Sequence, residues 1–140
     1  MPIRIEGLEG LTEQIESMAD LERMTKALNN ACLLVERSAK EKAPKDTGAL
    51  RRSIESKVEV NGDELQGIVF TPLLYAPYVE YGTGLFAENG GRQDVPWNYQ
   101  DDEGNWHSTR GQHPHPFMRP ALDENREEIA RMLQEALLND

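Results

Sequence analysis

The 140-residue sequence lacks the features that mark several common protein classes. It has one cysteine, Cys32, so an intrachain disulfide is excluded, and its place in an apolar helical pattern predicts a buried side chain. No apolar run approaches the roughly 20 residues needed to cross a bilayer. Because Met1-Pro2-Ile3-Arg4 also lacks a signal-peptide pattern, we expect no membrane contact and a place in the cytoplasm or in a particle assembled there.

Basic residues are also scarce. The chain has 15 Lys and Arg against 25 Asp and Glu, a formal charge of −10. This argues against sequence-specific nucleic-acid binding, because phosphate contacts need a basic surface. One basic cluster is present, and it has three interpretations: a solvated helix end, a salt contact with a neighbouring subunit, or a nucleic-acid contact. Its members are Lys40, Lys42, Lys45, Arg51 and Arg52.

Aromatic residues are few (two Trp, four Tyr and three Phe), and most lie between Phe70 and Phe117. The core elsewhere is therefore expected to be aliphatic. The same stretch is rich in Gly and Pro, so we interpret residues 72–116 as a long loop inserted in a single 1–140 domain. A stretch of this length with little regular structure is usually a binding loop or a segment that orders on contact.

Helical periodicity is strongest over residues 21–42. Apolar side chains recur there at steps of three and four, which predicts one buried stripe on an amphipathic helix. Asp20 is the expected N-cap, and Pro44 is expected to end the helix. The stripe consists of Leu21, Met24, Leu28, Ala31, Cys32, Val35 and Ala39.

Shorter elements are predicted on either side of this helix. Ile3 and Ile5 alternate with polar residues and indicate a short strand, and residues 12–19 indicate one or two amphipathic helical turns. Beyond the helix, Asp46 or Thr47 is expected to cap a helical turn near residue 49.

Two β-hairpins and a final helix complete the prediction. Asn61-Gly62 predicts a tight turn in a hairpin over residues 53–71, and the acidic run before Gly104 predicts a second hairpin between Trp97 and Thr109. Pro120 is expected at the first position of the last helix, with Asp123 and Glu124 in its first turn. The order predicts an α+β domain, with helices packed on one face of a small antiparallel sheet and a long aromatic- and Gly-rich loop.

Three histidines, His107, His113 and His115, raise the alternative of a small metal-dependent hydrolase or nuclease. They could combine with Asp101 or Asp102. However, prolines restrict the loop around them, no cysteine contributes, and no established ligand spacing is present. Solvated loop histidines are the favoured interpretation, so no metal, cofactor or catalytic residue is predicted.

Three tyrosines recur every three residues in LLYAPYVEYGTG. They would share one edge of a helical turn but could not all lie on one side of an extended chain. Tyr is favoured at protein–protein contacts because it combines apolar area with a polar tip, although these side chains could also close the core over the hairpin. The candidate assembly contacts are Tyr75, Tyr78, Tyr81, Trp97, Tyr99, Trp106 and Phe117.

Four segments in order resemble the gene-ten-like tail-component family of phage HK97, which also occurs in prophages. They are KAPKDTGALRRSI (42–54), YAPYVEYGTG (75–84), the Trp97/Tyr99 and Trp106/His107 hairpin, and HPFMRPALDENREEI (115–129). The resemblance extends over roughly residues 3–138. The family's recurrent residues correspond to Pro44, Thr47, Gly48, Leu50, Ser53, Tyr78, Glu80, Gly82, Thr83, Pro116, Phe117 and Pro120.

The resemblance implies a structural virion protein that acts in head–tail joining or tail completion. Several copies would form a ring around the axis through which DNA passes. The implied partners are other copies of the chain and connector, head-closure or tail-tube proteins. No enzymatic activity and no cofactor are implied. The negative charge adds the hypothesis that an acidic channel wall lets DNA pass without sticking.

Overall fold

A computed structural model describes residues 1–5, 18–45, 48–61, 64–88, 90–91, 94–100 and 103–138 of the chain. The chain forms two compact units. We name the first the helix–sheet unit, which comprises Met1–Pro72 and Phe117–Asp140. The second, Leu73–Pro116, is named the central unit.

The long helix α1 (Met18–Lys42) is the main element of the helix–sheet unit. The predicted stripe is buried from Met24 to Ala39, and the helix ends two residues before Pro44. The expected N-cap is wrong, because Asp20 lies inside the first helical turn and pairs with Arg23 at 2.5 Å. A carboxylate in the first turn is stabilised by the helix dipole, so it need not be the cap. The turns predicted over residues 12–19 lie almost entirely outside the described residues.

A three-stranded antiparallel sheet packs against this helix, in the order β1-β3-β2. Strand β1 spans Pro2–Ile5, β2 spans Glu55–Asn61 and β3 spans Glu64–Phe70. The predicted first strand and hairpin are therefore confirmed. Asn61 is paired with Glu64 and ends β2, so the connection is residues 62–63 and not Asn61-Gly62 as expected. That connection lies outside the described residues.

Gly67 on β3 is the point of closest approach between sheet and helix. A Cβ at this position would overlap the Cys32 sulfur and lie 3.1 Å from Leu28 Cδ1. Since side chains alternate along a strand, Leu65 and Val69 lie on the same face as Gly67, and both are buried. This face forms the core together with the α1 stripe.

The N-terminal segment and the short helix α2 (Ala49–Ser53) meet at Thr71, just after β3. The N-terminal amine donates to the Thr71 carbonyl at 2.7 Å, and the Thr71 amide donates to the Met1 carbonyl at 3.1 Å. The Ser53 and Thr71 hydroxyls are 2.7 Å apart. The N-cap of α2 is Gly48, in the left-handed region at φ 69°, and the expected caps Asp46 and Thr47 lie outside the described residues.

The predicted final helix is two helices, α4 (Met118–Asp123) and α5 (Arg126–Leu138). Phe117 and Met118 are fully buried, and the helix begins there, so Pro120 is its third residue and not its first. Pro is tolerated at this position because amides of the first turn have no acceptor within the helix. Between the helices, the Asn125 side chain donates to the Ala121 carbonyl at 2.7 Å.

The acidic residues near this break also differ from the prediction. Asp123 ends α4 and pairs with Arg126 at 2.9 Å, and Glu124 pairs with Lys42 of α1 at 2.6 Å. Glu127 and Glu128 occupy the first turn of α5 instead. Because Arg23 near the start of α1 donates to the Ala136 carbonyl, α5 runs antiparallel to α1. The helices and the antiparallel sheet confirm the α+β class.

The central unit has more regular structure than the long loop predicted for residues 72–116. It contains the helix α3 (Ala76–Tyr81), a 3-10 turn over Gly84–Phe86, and the strands β4 (Trp97–Gln100) and β5 (Trp106–Thr109). The two strands pair antiparallel, as the acidic run before Gly104 predicted. Residues 101 and 102 of their connection lie outside the described residues.

Replacing Gly67 with alanine should destabilise the protein, because the added methyl overlaps the Cys32 sulfur. We expect the free energy of unfolding to fall by about 1–3 kcal/mol, measured by urea denaturation. Gln66→Ala on the opposite face is the control and should change it by less than about 0.5 kcal/mol. If Gly67→Ala costs the same in a Cys32→Ala background, the sulfur is not the obstacle.

The stability of the protein should also depend on alkaline pH through Cys32. Burial raises the pKa of this thiol from 9.0 to about 11. A backbone hydrogen bond from Ile68 lowers the pKa in part, and the charge of Glu36 raises it further. The contribution of the buried thiol to the free energy of unfolding is therefore complete below pH 9.0. It is lost as the pH rises to about 11, because only the thiol of the unfolded chain ionises in that range. Urea titrations should show a shallower decline over this range in Cys32→Ala.

Candidate assembly surface

Backbone hydrogen bonds between two distant segments hold the central unit together. The amides of Thr83 and Leu85 each donate at 2.9 Å, to the carbonyls of Gln112 and Arg110 respectively. The Gln112 amide donates to the Thr83 hydroxyl at 2.9 Å. The Gly82-Thr83-Gly84 motif therefore pairs with residues 110–112, across nearly 30 intervening residues.

Glycine is required where these segments meet. Gly84 has φ 61°, and a Cβ there would overlap the Arg110 carbonyl and lie 2.7 Å from the Trp97 ring. Gly111 has φ 119°, and a Cβ there would overlap the Thr83 carbonyl. The left-handed region and the close contact both disfavour a side chain at these positions.

Helix α3 presents the tyrosines, and the helical alternative from the sequence is the observed one. Tyr75 is the N-cap residue of α3, and Tyr78 and Tyr81 follow at helical spacing. Tyr75 is 43% exposed and Tyr78 59%, whereas Tyr81 is half-buried. Glu80 on the same helix is fully buried. The row of tyrosines is therefore accessible at its N-terminal end.

The β4–β5 hairpin carries the other predicted aromatic contacts. Tyr99 is opposite His107, and their rings stack with centroids 5.2 Å apart. Trp106 lies on the other face and is 70% exposed, whereas Trp97 is half-buried against Gly84. An isolated two-stranded hairpin is only marginally stable in water, so aromatic contacts within it matter.

The three histidines have separate surroundings. His107 stacks on Tyr99, and His113 stacks on Phe86 with centroids 3.9 Å apart. The His115 amide donates to the Val79 carbonyl at 2.7 Å. Across the described ranges, no three His, Cys, Asp or Glu side chains are grouped to hold a metal ion. The described geometry gives no support to the hydrolase or nuclease alternative.

Two corrections concern which side chains are accessible. Phe117 is fully buried in the helix–sheet unit, so it is a core residue and we remove it from the candidate contacts. Sequence reasoning missed Leu74, which is 91% exposed, and Leu85, which is 47% exposed. No local sequence pattern indicates that these two leucines are exposed, because leucine is usually buried and neither one interrupts a helical or strand periodicity.

The basic cluster divides into neutralised and available charges. Lys40 pairs with Glu36 at 3.8 Å, and Lys42 pairs with Glu124 at 2.6 Å. Lys45 and Arg52 are exposed, and neither forms an ion pair within the described part of the chain. Arg51 is half-buried.

Comparison with known proteins identifies the class. The family model HK97-gp10_like, for the tail component gp10 of bacteriophage HK97, matches residues 9–82, which is more than half of the chain. The chain therefore belongs to this family and is a phage tail-component-like structural protein. The match confirms the family resemblance seen in the sequence. It includes the recurrent residues from Pro44 to Gly82 and ends before Thr83.

No curated protein and no solved structure is significantly similar to the chain. Among the described helices, none combines the length and apolar character needed to span a membrane.

Replacing Gly84 with alanine should disrupt the central unit. Gly90 is the matched control, since its φ of 68° is similar but nothing lies within 4 Å of its Cβ position. We expect Gly90→Ala to cost about 1–2 kcal/mol from backbone strain alone. Gly84→Ala should cost a further 1–3 kcal/mol or so from overlap, with altered Trp97 fluorescence. Equal costs in urea denaturation would show that the predicted overlap is relieved without penalty.

Proposed function

We propose that this protein joins head to tail, or completes the tail, as a ring of identical copies at the head–tail interface of a tailed phage or prophage. Its partners in the proposal are other copies of itself and connector, head-closure or tail-tube proteins. The protein would be made in the bacterial cytoplasm and incorporated into the virion there. Membership of the tail-component family supports a structural role in the particle.

The observation that carries the proposal is where large apolar side chains are exposed. Of nine such residues in the described part of the chain, six lie in the central unit, which is less than a third of the sequence. The concentration of exposed apolar residues in the central unit favours an interaction role for this unit, and Tyr and Trp are enriched in interfaces. The six residues, which we name the assembly surface, are Leu74, Tyr75, Tyr78, Leu85, Tyr99 and Trp106.

The assembly surface rests on a preorganised backbone. Leu74 directly precedes Tyr75, the N-cap residue of α3, and Tyr78 lies in the first turn of that helix. The Gly82 amide closes the helix by donating to the Tyr78 carbonyl at 2.9 Å. Leu85 is held by the hydrogen bond that its amide donates to the Arg110 carbonyl. A surface that is ordered before binding loses less conformational entropy on association, so a small patch can bind productively.

Ring assembly places one requirement on the chain. Identical copies close into a ring only if two different surfaces of each copy meet head to tail. The assembly surface would supply one of them. The net charge of −10 is compatible with DNA passage, because an acidic wall repels phosphates.

The experiment is complementation of a phage that lacks this gene. Deletion should leave unjoined heads and tails, counted by electron microscopy. A Leu74→Ser, Tyr78→Ser double variant should reduce joined particles by about tenfold or more, because exposed aromatic and aliphatic anchors dominate binding energy. Its free energy of unfolding should change by less than about 1 kcal/mol, since both side chains are exposed.

The matched control is Leu33→Ser with Val60→Ser, which alters residues that are 46% and 65% exposed in the helix–sheet unit. This control should restore normal particle yield. Equal yields from the two double variants would contradict the assembly surface. Whole, infectious particles from the deletion strain would contradict the function itself.

A further inference from the structure

We infer that the β4–β5 hairpin of one copy binds a basic surface on a second copy of this chain. The basic surface comprises Arg37 in α1, Lys45 in the connection that follows α1, and Arg51 and Arg52 in α2. The inference rests on the proposed self-assembly and names the two surfaces that would meet.

The basic surface is a local exception in an acidic chain. Residues 37–57 contain seven Lys or Arg and three Asp or Glu, whereas acids outnumber bases 25 to 15 overall. Helix α1, which carries Arg37, contacts helix α2, which carries Arg51 and Arg52. Like charges gathered on one surface attract an acidic partner and repel a basic one.

Ion pairs within the chain neutralise only part of this surface. Lys40 and Lys42 are bound to Glu36 and Glu124. Arg37, Lys45 and Arg52 are exposed and form no ion pair with any described residue. The charge available to a partner is therefore mainly arginine, whose planar guanidinium binds carboxylates through two hydrogen bonds and stacks on aromatic rings.

Arg51 adds a second observation. Its Nε and one terminal nitrogen are shielded from solvent and have no acceptor in the described part of the chain. Shielded donors are normally satisfied in folded proteins. A carboxylate from a partner that draws this guanidinium outward would satisfy them.

The hairpin has the complementary chemistry. The central unit contains six Asp or Glu and two Lys or Arg, and the connection between β4 and β5 reads Asp101-Asp102-Glu103-Gly104. Tyr99 and Trp106 flank this connection and are 45% and 70% exposed. Carboxylates beside an exposed indole are what an arginine-rich surface recognises, through ion pairs and cation–π contacts.

The hairpin and the basic surface belong to different parts of one chain. When each copy gives its hairpin to one neighbour and receives a hairpin from another, the contact is heterologous, as ring formation requires. Because charges dominate the contact, association should weaken as salt rises.

The test is a charge exchange measured by sedimentation velocity on the full-length protein. One variant carries Arg51→Glu and Arg52→Glu, and the other carries Asp101→Lys and Asp102→Lys. Each alone should self-associate about tenfold or more weakly than wild type at low salt. A mixture of the two should recover association, since each reversed surface then meets its complement on the other chain. Lys26→Glu with Arg126→Glu makes the same charge change as Arg51→Glu with Arg52→Glu, at exposed positions elsewhere, and should behave as wild type.

Four results would overturn the inference. The first is wild-type protein that stays monomeric up to about 1 mM, and the second is charge-reversed variants that self-associate no more weakly than the matched control. The third is a mixture of the two reversed variants that does not associate. The fourth is equal losses of thermal stability in Arg51→Gln and Asp46→Asn with self-association unchanged. The last result would assign Arg51 to an acceptor in its own chain. If these reversals are neutral while Leu74→Ser with Tyr78→Ser still prevents head–tail joining, the proposed function stands and only this contact fails.

Discussion

The structure depends on the close approach of helix α1 to strand β3 at Gly67. With no side chain at that position, Cys32 and Leu28 lie directly against the strand backbone. A protein of this size has few layers in which to bury apolar area, so one intimate helix–sheet contact determines where the other elements can lie. Helix α5 then packs antiparallel on α1, with Arg23 bound to the Ala136 carbonyl near its end and Lys42 bound to Glu124 just before it begins.

The central unit is stabilised differently. Backbone hydrogen bonds between the Thr83 and Gln112 segments, with glycines at the crossing, replace the apolar core that orders the helix–sheet unit. Main-chain pairing consumes little side-chain surface. Aromatic and aliphatic groups therefore stay outside, which explains how the chain retains Leu74 and Trp106 on its surface.

Sequence reasoning succeeded where structure is local. The α1 stripe and both hairpins follow from spacing within a few residues, so periodicity and turn chemistry were sufficient. The start of α1 was mistaken at Asp20, which lies inside the first helical turn. The start of the last helix was mistaken at Pro120 because burial of Phe117 and Met118, which is a tertiary effect, sets where α4 begins. The pairing of Thr83 with Gln112 was missed because it joins distant residues and leaves no local period. The helical arrangement of the tyrosines was one of the sequence alternatives, whereas the exposure of Leu74 and Leu85 was not foreseen.

The central unit is one uninterrupted stretch of chain between two buried residues. Thr71 precedes it and Phe117 follows it, at 1% and 0% exposure, and both belong to the scaffold. Recombination between related genomes could replace everything in between while leaving those anchors intact. Lineages of such proteins would then inherit a common scaffold and exchange the whole intervening segment in one event.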